Sequence, residues 1–578
     1  MTRRVLRRDT ATASLPAAAA NLHPAVRRVY AARGVRNDEQ LDLGLDRLLP
    51  VGTLGGVDAA AELLADCHRR GRRVLVIGDF DADGATSTAL MLRQMRRLGY
   101  TDPAYLVPDR FRYGYGLTPG IVEVAATMRP DLIVTVDNGI SSLDGVASAN
   151  RAGIQVLVTD HHLPGAQLPS AAAIVNPNLP GERFASKSLA GVGVAFYVMA
   201  ALTRLLRERG AVPAAAGVNP ADLLDLVALG TVADVVPLDP NNRILVSQGL
   251  RRIRAGRCVP GLRALLESAG RSLDAIVAQD LGFAAGPRLN AAGRLEDMSL
   301  GIECLLTAST TEAAALAARL GGLNADRREI EARMQAEALA QVDAMVASLE
   351  GAMPAGLALH DPGWHQGVIG LVASRVRERV HRPVVAFAPG DPGWVKGSAR
   401  SVPGVHVRDV LDAVATRNPG LLEKFGGHAM AAGMTLREER LEEFRSAFAD
   451  EVARCIDPDL LTGDLHTDGP LLPGEHGVDT ALALCEAGPW GAGFPEPTFD
   501  GRYGVVSARV VGERHLKLRL RADSGELVDA IAFRYLDDAA AAPVHADGAV
   551  ELVFRPDLDT WGGSRRMQLV AEWLRPLP

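Results

Sequence analysis

Three carboxylates recur at every second position in Gly78-Asp79-Phe80-Asp81-Ala82-Asp83-Gly84, directly after the apolar run VLVIG. Like charges this close raise one another's pKa, and a divalent cation removes that cost. Standing alone, the pattern also describes a solvated acidic loop or a helix cap, with Gly84 leading into a helix over Thr86 to Arg93. Two further motifs shift the balance. Val136-Asp137-Asn138-Gly139 and Asp160-His161-His162 each follow another apolar run. Together they offer hard carboxylate oxygens and imidazole nitrogens, a ligand mix that suits Mn²⁺, with Mg²⁺ as the alternative, rather than a thiolate-rich structural zinc site. Two such ions side by side stabilise both the attacking and the leaving oxygen of a phosphoryl displacement, so the chemistry implied is phosphodiester hydrolysis.

The elements that must position these groups are short and continuously apolar: VLVIGD at 74 to 79, DLIVTVD at 131 to 137 and IQVLVTD at 154 to 160. Such runs are strands buried on both faces, as in a parallel sheet flanked by helices. Ligand sites of open α/β sheets lie beyond the carboxyl ends of the strands, so Asp79, Asp137 and Asp160 are expected along one edge. The stretch from Ala221 to Val236 reads as an apolar helix that breaks at Gly230 and delivers a further carboxylate, Asp234. A long helix is expected at about 310 to 350 from the helical period of Ala, Leu, Arg and Glu.

A second α/β pattern carries the glycine-rich stretches HQGVIG (365–370) and FGGHAMAAG (425–433), where backbone can approach a ligand closely. Beyond about Asp457 the chain turns to short strands punctuated by proline and glycine. Strict alternation in HLKLRLR (515–521) places Leu516, Leu518 and Leu520 inside and Lys517, Arg519 and Arg521 outside, which fits a small β barrel. A cationic barrel face binds single strands, and it is equally the solvated face of any such strand.

Composition sets the limits. A chain of 578 residues exceeds one ordinary core and implies several domains. Its 48% hydrophobic and 23% charged content is that of a globular protein, without an apolar run long enough to span a bilayer. Arg3, Arg4, Arg7 and Arg8 precede an alanine-rich stretch, but Thr10, Thr12, Ser14 and Pro16 interrupt any export-signal core, so a cytoplasmic location is expected. Five scattered cysteines form no C-x-x-C pair, which points away from a disulfide framework. A net charge of −7 argues against non-specific coating of nucleic acid, although a local groove can still be basic.

GDFDADG, VDNG, DHH and GTVADVVPL, in that order, resemble the four motifs of the DHH phosphoesterase superfamily. With PDRFRYGYGL, NPN, PRLNAAGRLED, WHQGVIG, GSARS, FGGHAMAAG and PWGAGFPEP, nearly the whole chain is similar to the bacterial RecJ family of single-stranded-DNA-specific exonucleases. The resemblance implies an α/β multidomain protein: an N-terminal segment (1–45), a parallel-sheet DHH phosphoesterase domain (46–236), a helical connector (237–350), a smaller α/β DHH-associated domain (351–456) and a C-terminal OB-like barrel (457–578). It implies that Asp81, Asp83, Asp137, His161 and Asp234 ligate two metal ions, with Asp137 bridging, Asp79 ligating or holding that shell, and His162 acting near the scissile phosphate. Ile77 stands where some relatives have a histidine. Asp160 is expected to orient an imidazole, a role its position also allows without the family. In the family the two α/β domains face each other across a channel too narrow for duplex. The likeness therefore assigns Arg110, Arg288, Ser374, Arg375, Ser398, Arg400 and His428 to substrate contact, with Gly426 and Gly427 exposing backbone and Tyr113 or Tyr115 stacking on a base.

The activity so implied is 5′→3′ digestion of single-stranded DNA to 5′-mononucleotides, in DNA repair and recombination, by a monomer supplied by a helicase and a single-strand-binding protein. Two other readings share parts of the pattern. A DHH phosphodiesterase of short oligoribonucleotides or cyclic dinucleotides shares the metal site, but such relatives usually lack the C-terminal barrel. A non-catalytic DNA-binding replication scaffold loses metal ligands, whereas every principal carboxylate and both histidines are present here.

Overall fold

The computed structural model describes residues 4–9, 15–109, 112–213, 217–348, 353–456, 463–537, 544–559 and 565–577. Two compact units divide the chain: one holds Arg7–Gly322 with Thr467–Pro578, the other Met1–Leu6 with Leu323–His466.

The larger unit contains a five-stranded, all-parallel sheet in the order Ala104–Leu106, Val74–Gly78, Leu132–Val136, Gln155–Thr159, Ala173–Val175. Every residue of Val74–Gly78 and Leu132–Val136 is buried, as continuous apolar runs between helical layers require. The three aspartate-terminated runs are adjacent in the sheet, so their carboxyl ends share one edge.

Two helix expectations are corrected. The helix after the acidic loop is Ala82–Arg97, starting well before Thr86, because Asp81 itself caps it: its carboxylate accepts from the Asp83 and Gly84 N–H groups, both at 3.0 Å. The helix Leu224–Ala233 runs straight through Gly230 and ends only at Asp234. Gly230 is there for packing, since a Cβ would lie 2.3 Å from Thr86 Oγ1 and 2.8 Å from Asp83 Oδ1. The missing side chain lets two buried helices approach closely beside the acidic loop.

The carboxyl-terminal part of this unit is a closed five-stranded barrel in the order Phe499–Val511, His515–Arg521, Leu527–Ala532, Arg566–Leu577, Ala549–Asp559. Leu516, Leu518 and Leu520 fill its interior. Outside, Arg519 pairs with Asp529 at 2.7 Å and Lys517 lies 3.8 Å from Asp559, so part of the basic face is neutralised within the barrel. The helix Pro24–Ala32 docks against the segment that leads into the barrel. Tyr30 packs on Trp490 and Phe494, and Arg33 pairs with Asp468 in a site from which water is almost wholly excluded.

The smaller unit has a mixed sheet in the order Lys424–Gly427, Ala431–Arg437, Trp394–Arg400, Val384–Pro389, Leu357–His360, in which only the last pair is parallel. Its core is built around Phe387, Phe444 and Phe448. The long helix Thr310–Ser348 starts in the larger unit and continues into the smaller one. Among the described residues, no single helix is long and apolar enough to cross a membrane.

Candidate active site

At the carboxyl edge of the parallel sheet the backbone turns sharply. Asp137 adopts φ +63°, and the fully buried Asn138 pins the turn by donating to the carbonyls of Val136 (2.9 Å) and Ile77 (3.1 Å), tying two strand ends together. The Asp137 N–H donates to the Thr159 carbonyl at 3.0 Å, which fixes the edge against the next strand.

The side chains that converge there form three overlapping groups: Asp79, Asp81 and Asp137; Asp137, His161 and His162; and Asp83, His161 and Asp234. Within each group, one potential ligand atom from every residue lies within 4.8 Å of the others. His161 Nε2 is 3.0 Å from Asp137 Oδ1 and 3.5 Å from Asp234 Oδ2, which links the groups. Asp83, Asp137 and Asp234 come from three separate elements, and the first two are buried.

That burial dominates the electrostatics. It pushes the Asp83 carboxyl up to about 7, with the charge of Asp81 adding to the effect and the backbone donors opposing it. Burial and then the charges of Asp83, Asp81 and Asp234 raise Asp137 well above the usual carboxylate range. Asp234 is raised by burial and then by Asp83, Asp81 and Asp79. A cluster of carboxylates so hard to ionise fits a divalent cation, whose charge would offset their mutual repulsion.

Asp160 lies one layer behind. Its Oδ2 accepts from Ile140 N–H at 2.9 Å, while Oδ1 accepts from the N–H groups of His161 and His162 and meets His162 Nδ1 at 2.7 Å. Burial would raise its pKa, but the hydrogen bond and charge of His162 bring it below the usual range. The effect on the imidazole is reciprocal: burial would lower the His162 pKa, and Asp160, with Asp79 and Asp81, raises it instead.

Several positioning residues escape sequence reading. Asp83 receives the N–H groups of Gly191 (2.7 Å) and Val192 (2.9 Å), the amino end of the helix Gly191–Glu208. Asn176 and Asn178 donate to the carbonyls of His162 and His161 at 2.9 and 2.6 Å, so the NPN motif holds the two histidines. Asn290 accepts the Ala82 N–H at 2.8 Å, and a Cβ on Gly293 would sit 1.8 Å from the Phe80 carbonyl oxygen. The PRLNAAGRLED segment therefore clasps the acidic loop. Polar or small residues embedded in apolar stretches are the available signal, but their partners lie up to about two hundred positions away.

The expected substrate contacts divide between the two units, and Arg110 lies outside the described residues. Tyr115 borders these carboxylate and imidazole groups: its hydroxyl donates to the Asp137 carbonyl at 3.1 Å and its ring meets His162 and Phe80 edge-on. Tyr113 instead packs on the sheet's hydrophobic cluster with the Arg112 guanidinium over its ring. Arg288 donates to the Ala284 carbonyl at 2.8 Å. In the smaller unit, Arg400 Nη1 donates to Ser398 Oγ at 3.1 Å, and Gly370 leaves the room they need, since a Cβ there would be 2.8 Å from Arg400 Nη2. Burial, with Arg377 adding to it, lowers the Arg400 pKa. Ser374 bonds back to the Gly370 carbonyl, and Arg375 is engaged by Glu331 at 3.0 Å and Glu378 at 3.2 Å. Gly427, at φ +145°, precedes His428, whose N–H donates to the Ala431 carbonyl, and Gly426 has open space where a side chain would stand.

Comparison with known families agrees with this architecture. Residues 73–231 match the DHH family N-terminal domain, 343–454 the DHHA1 domain and 467–572 the RecJ OB domain. The chain is 52% identical over 579 residues to the single-stranded-DNA-specific exonuclease RecJ of Salmonella typhimurium strain LT2, covering 99% of each. It is 51% identical over 574 residues to that of Escherichia coli K12, covering 98% of each. Among solved structures, RecJ of Thermus thermophilus in complex with Mn²⁺ matches with a TM-score of 0.79 at 33% identity, over 100% of this chain and 79% of that one. Its complex with Mg²⁺ matches with a TM-score of 0.74 at 32% identity, over 100% and 78%. The fold and the acidic site define a protein of the DHH class. Within that class, the chain belongs to the RecJ family.

Proposed function

We propose that this chain is a metal-dependent exonuclease that digests single-stranded DNA from its 5′ end, releasing 5′-mononucleotides, in DNA repair and recombination. The observation that carries the reading is the convergence of Asp79, Asp81, Asp83, Asp137, Asp234 and His161 at one sheet edge, with ligand atoms close enough to share cations. Identity of about half to curated RecJ exonucleases over the full chain supports the substrate class.

Asp81, Asp83, Asp137, His161 and Asp234 would hold two ions, with Asp137 shared and Asp79 supporting, and Mn²⁺ or Mg²⁺ meets the oxygen-rich donor set. Ions held by these residues would supply an activated water and neutralise charge on the phosphate. The protein's own groups do the rest. Asp160 fixes the imidazole of His162 through Nδ1, so Nε2 is the atom at which His162 holds a proton for the reacting phosphate or its leaving oxygen. Asn176 and Asn178 keep the two histidines in place. Tyr115 closes the site beside His162, and Arg288 is the phosphate-binding candidate of the same unit. Ser374, Arg375, Ser398, Arg400, Gly426, Gly427 and His428 are the substrate-binding set of the smaller unit, with Arg400 already donating to the Ser398 hydroxyl. A monomer acting with a helicase and a single-strand-binding protein in the cytoplasm completes the reading on family likeness.

The test is product analysis of a single-stranded DNA labelled separately at each end, with Mn²⁺, beside a blunt duplex and a dinucleotide. Immediate mononucleotide release from the 5′ label, stepwise shortening of the 3′-labelled strand and an intact duplex are expected. Preferential cleavage of the dinucleotide would replace this reading with a short-oligonucleotide phosphodiesterase.

A further inference from the structure

The PWGAGFPEP segment is remote in sequence from every catalytic motif, yet it grips the chain immediately after Asp234. The helix Leu224–Ala233 ends with the Asp234 N–H on the Gly230 carbonyl at 2.9 Å. The next residue, Val235, sits at φ +62° and is 69% exposed. A β-branched residue rarely adopts this left-handed conformation, and Val235 has little packing of its own to enforce it. The Val235 N–H reaches the Val232 carbonyl at 3.3 Å, and further restraint lies two and three residues on, at Pro237 and Leu238.

Three hydrogen bonds hold this stretch, the last of them from the loop. Pro237 offers its carbonyl to Asn242 Nδ2 at 3.0 Å and to Asp239 N–H at 2.9 Å. Leu238 donates its N–H to the Ala492 carbonyl at 2.7 Å. The glycines flanking Ala492 make that bond reachable: a Cβ on Gly491 would lie 2.8 Å from Leu238 Cδ1, and one on Gly493, itself at φ +69°, 3.0 Å from Pro237 Cβ. The loop is rigid in its own right. Gly491 and Phe494 exchange backbone hydrogen bonds at 2.9 and 3.1 Å, the Trp490 and Phe494 rings stack with centroids 5.2 Å apart, and the Arg243 guanidinium lies 3.9 Å over Phe494. Trp490 Nε1 is tied to the Leu484 carbonyl at 2.9 Å.

We infer that the Trp490–Phe494 loop is a positioning element for the Asp234 carboxylate: by accepting the Leu238 N–H at Ala492 and packing Gly493 against Pro237 it fixes the turn through Val235 and so sets the affinity of the site for its metal. This rests on the reading of Asp234 as a ligand. Residues that hold a ligand without touching the ion typically change metal affinity by about 10- to 100-fold when altered.

The experiment measures Mn²⁺ binding to the full-length protein by calorimetry, with thermal unfolding of each variant alongside. Gly493→Ala and Gly493→Asn both place a Cβ against Pro237, and Asn tolerates the left-handed backbone. Both are expected to weaken Mn²⁺ binding by about 10-fold or more, and nuclease activity should recover as Mn²⁺ is raised. Gly525→Ala is the control: it imposes the same strain at φ +88° on another loop of the carboxyl-terminal region, with nothing within 4 Å of the new Cβ, and should leave the affinity unchanged. Wild-type affinity in the Gly493 variants, with weak binding in Asp234→Asn, overturns the inference. Equal weakening by Gly525→Ala also overturns it, by making the effect one of general destabilisation. Wild-type binding by Asp234→Asn overturns the ligand assignment instead. Should neither Gly493 variant fold, Gly491→Ala, which meets the flexible end of Leu238, is held to the same two outcomes.

Discussion

Asp160 and His162 are joined by a 2.7 Å contact between Oδ1 and Nδ1, and the same carboxylate gathers three backbone N–H groups, from Ile140, His161 and His162. Asp160 thus shapes the turn that presents both histidines and also fixes which ring nitrogen of His162 stays clear of this contact. Asp160→Asn keeps the size of the side chain and removes the charge, and its single acceptor oxygen gives up the bonds made by one of the two carboxylate oxygens. The expected result is a fall in kcat of about 10²-fold or more with KM for single-stranded DNA nearly unchanged. An unaltered kcat would remove Asp160 and His162 from the chemical step.

Gly293 approaches the acidic loop so closely that any side chain must displace the Phe80 carbonyl, the neighbour of both Asp79 and Asp81. Gly293→Ala should lower nuclease activity by more than about tenfold while leaving the far-ultraviolet circular dichroism spectrum intact. A variant that cuts at the wild-type rate would show that the loop can shift without consequence for the site.

Much of this was legible in the sequence, and the reasons are physical. Continuous apolar runs ending in Asp79, Asp137 and Asp160 reported a sheet buried on both faces, and the strand period fixed which side of HLKLRLR faces the barrel interior. Gly230 misled because a glycine that ends a helix and one that lets two helices touch look alike without the partner, here Thr86 and Asp83. The same limit hid Asn290, Gly191 and the Ala492 carbonyl. Each acts on a group far away in sequence, and local periodicity carries no trace of it.

Arg33 and Asp468 form an ion pair in which the side chains are 2% and 0% exposed, tying the amino-terminal helix to the segment ahead of the barrel. Arg33→Met would leave the buried carboxylate with the Thr498 N–H and the more distant Arg8. Loss of one partner of a buried pair typically costs about 3–5 kcal/mol. Urea unfolding should report a loss of that order, and a change below about 1 kcal/mol would mean that Arg8 takes over the pairing.

Asp225 is fully buried. Its carboxylate accepts the Val259 N–H at 2.7 Å, and burial pushes its pKa up to about 6 despite that bond and the charges of Arg252 and Arg93. A carboxyl whose folded pKa is raised stabilises the fold at low pH, and that contribution is lost as pH rises from the unfolded value toward about 6. Asp225→Asn should therefore gain stability relative to the parent as pH rises through this window, measured as the difference in urea midpoints in metal-free buffer. Parallel curves would contradict the assignment of a proton to Asp225.

The most direct test of the metal site is Asp137→Asn, which removes one charge from the residue shared by two of the three ligand groups. With Mn²⁺ present, cleavage of single-stranded DNA should fall by about 10³-fold or more, while binding of the same strand stays within a few-fold of the parent. Cleavage at the parental rate would contradict the claim that this sheet edge is where the phosphodiester is hydrolysed.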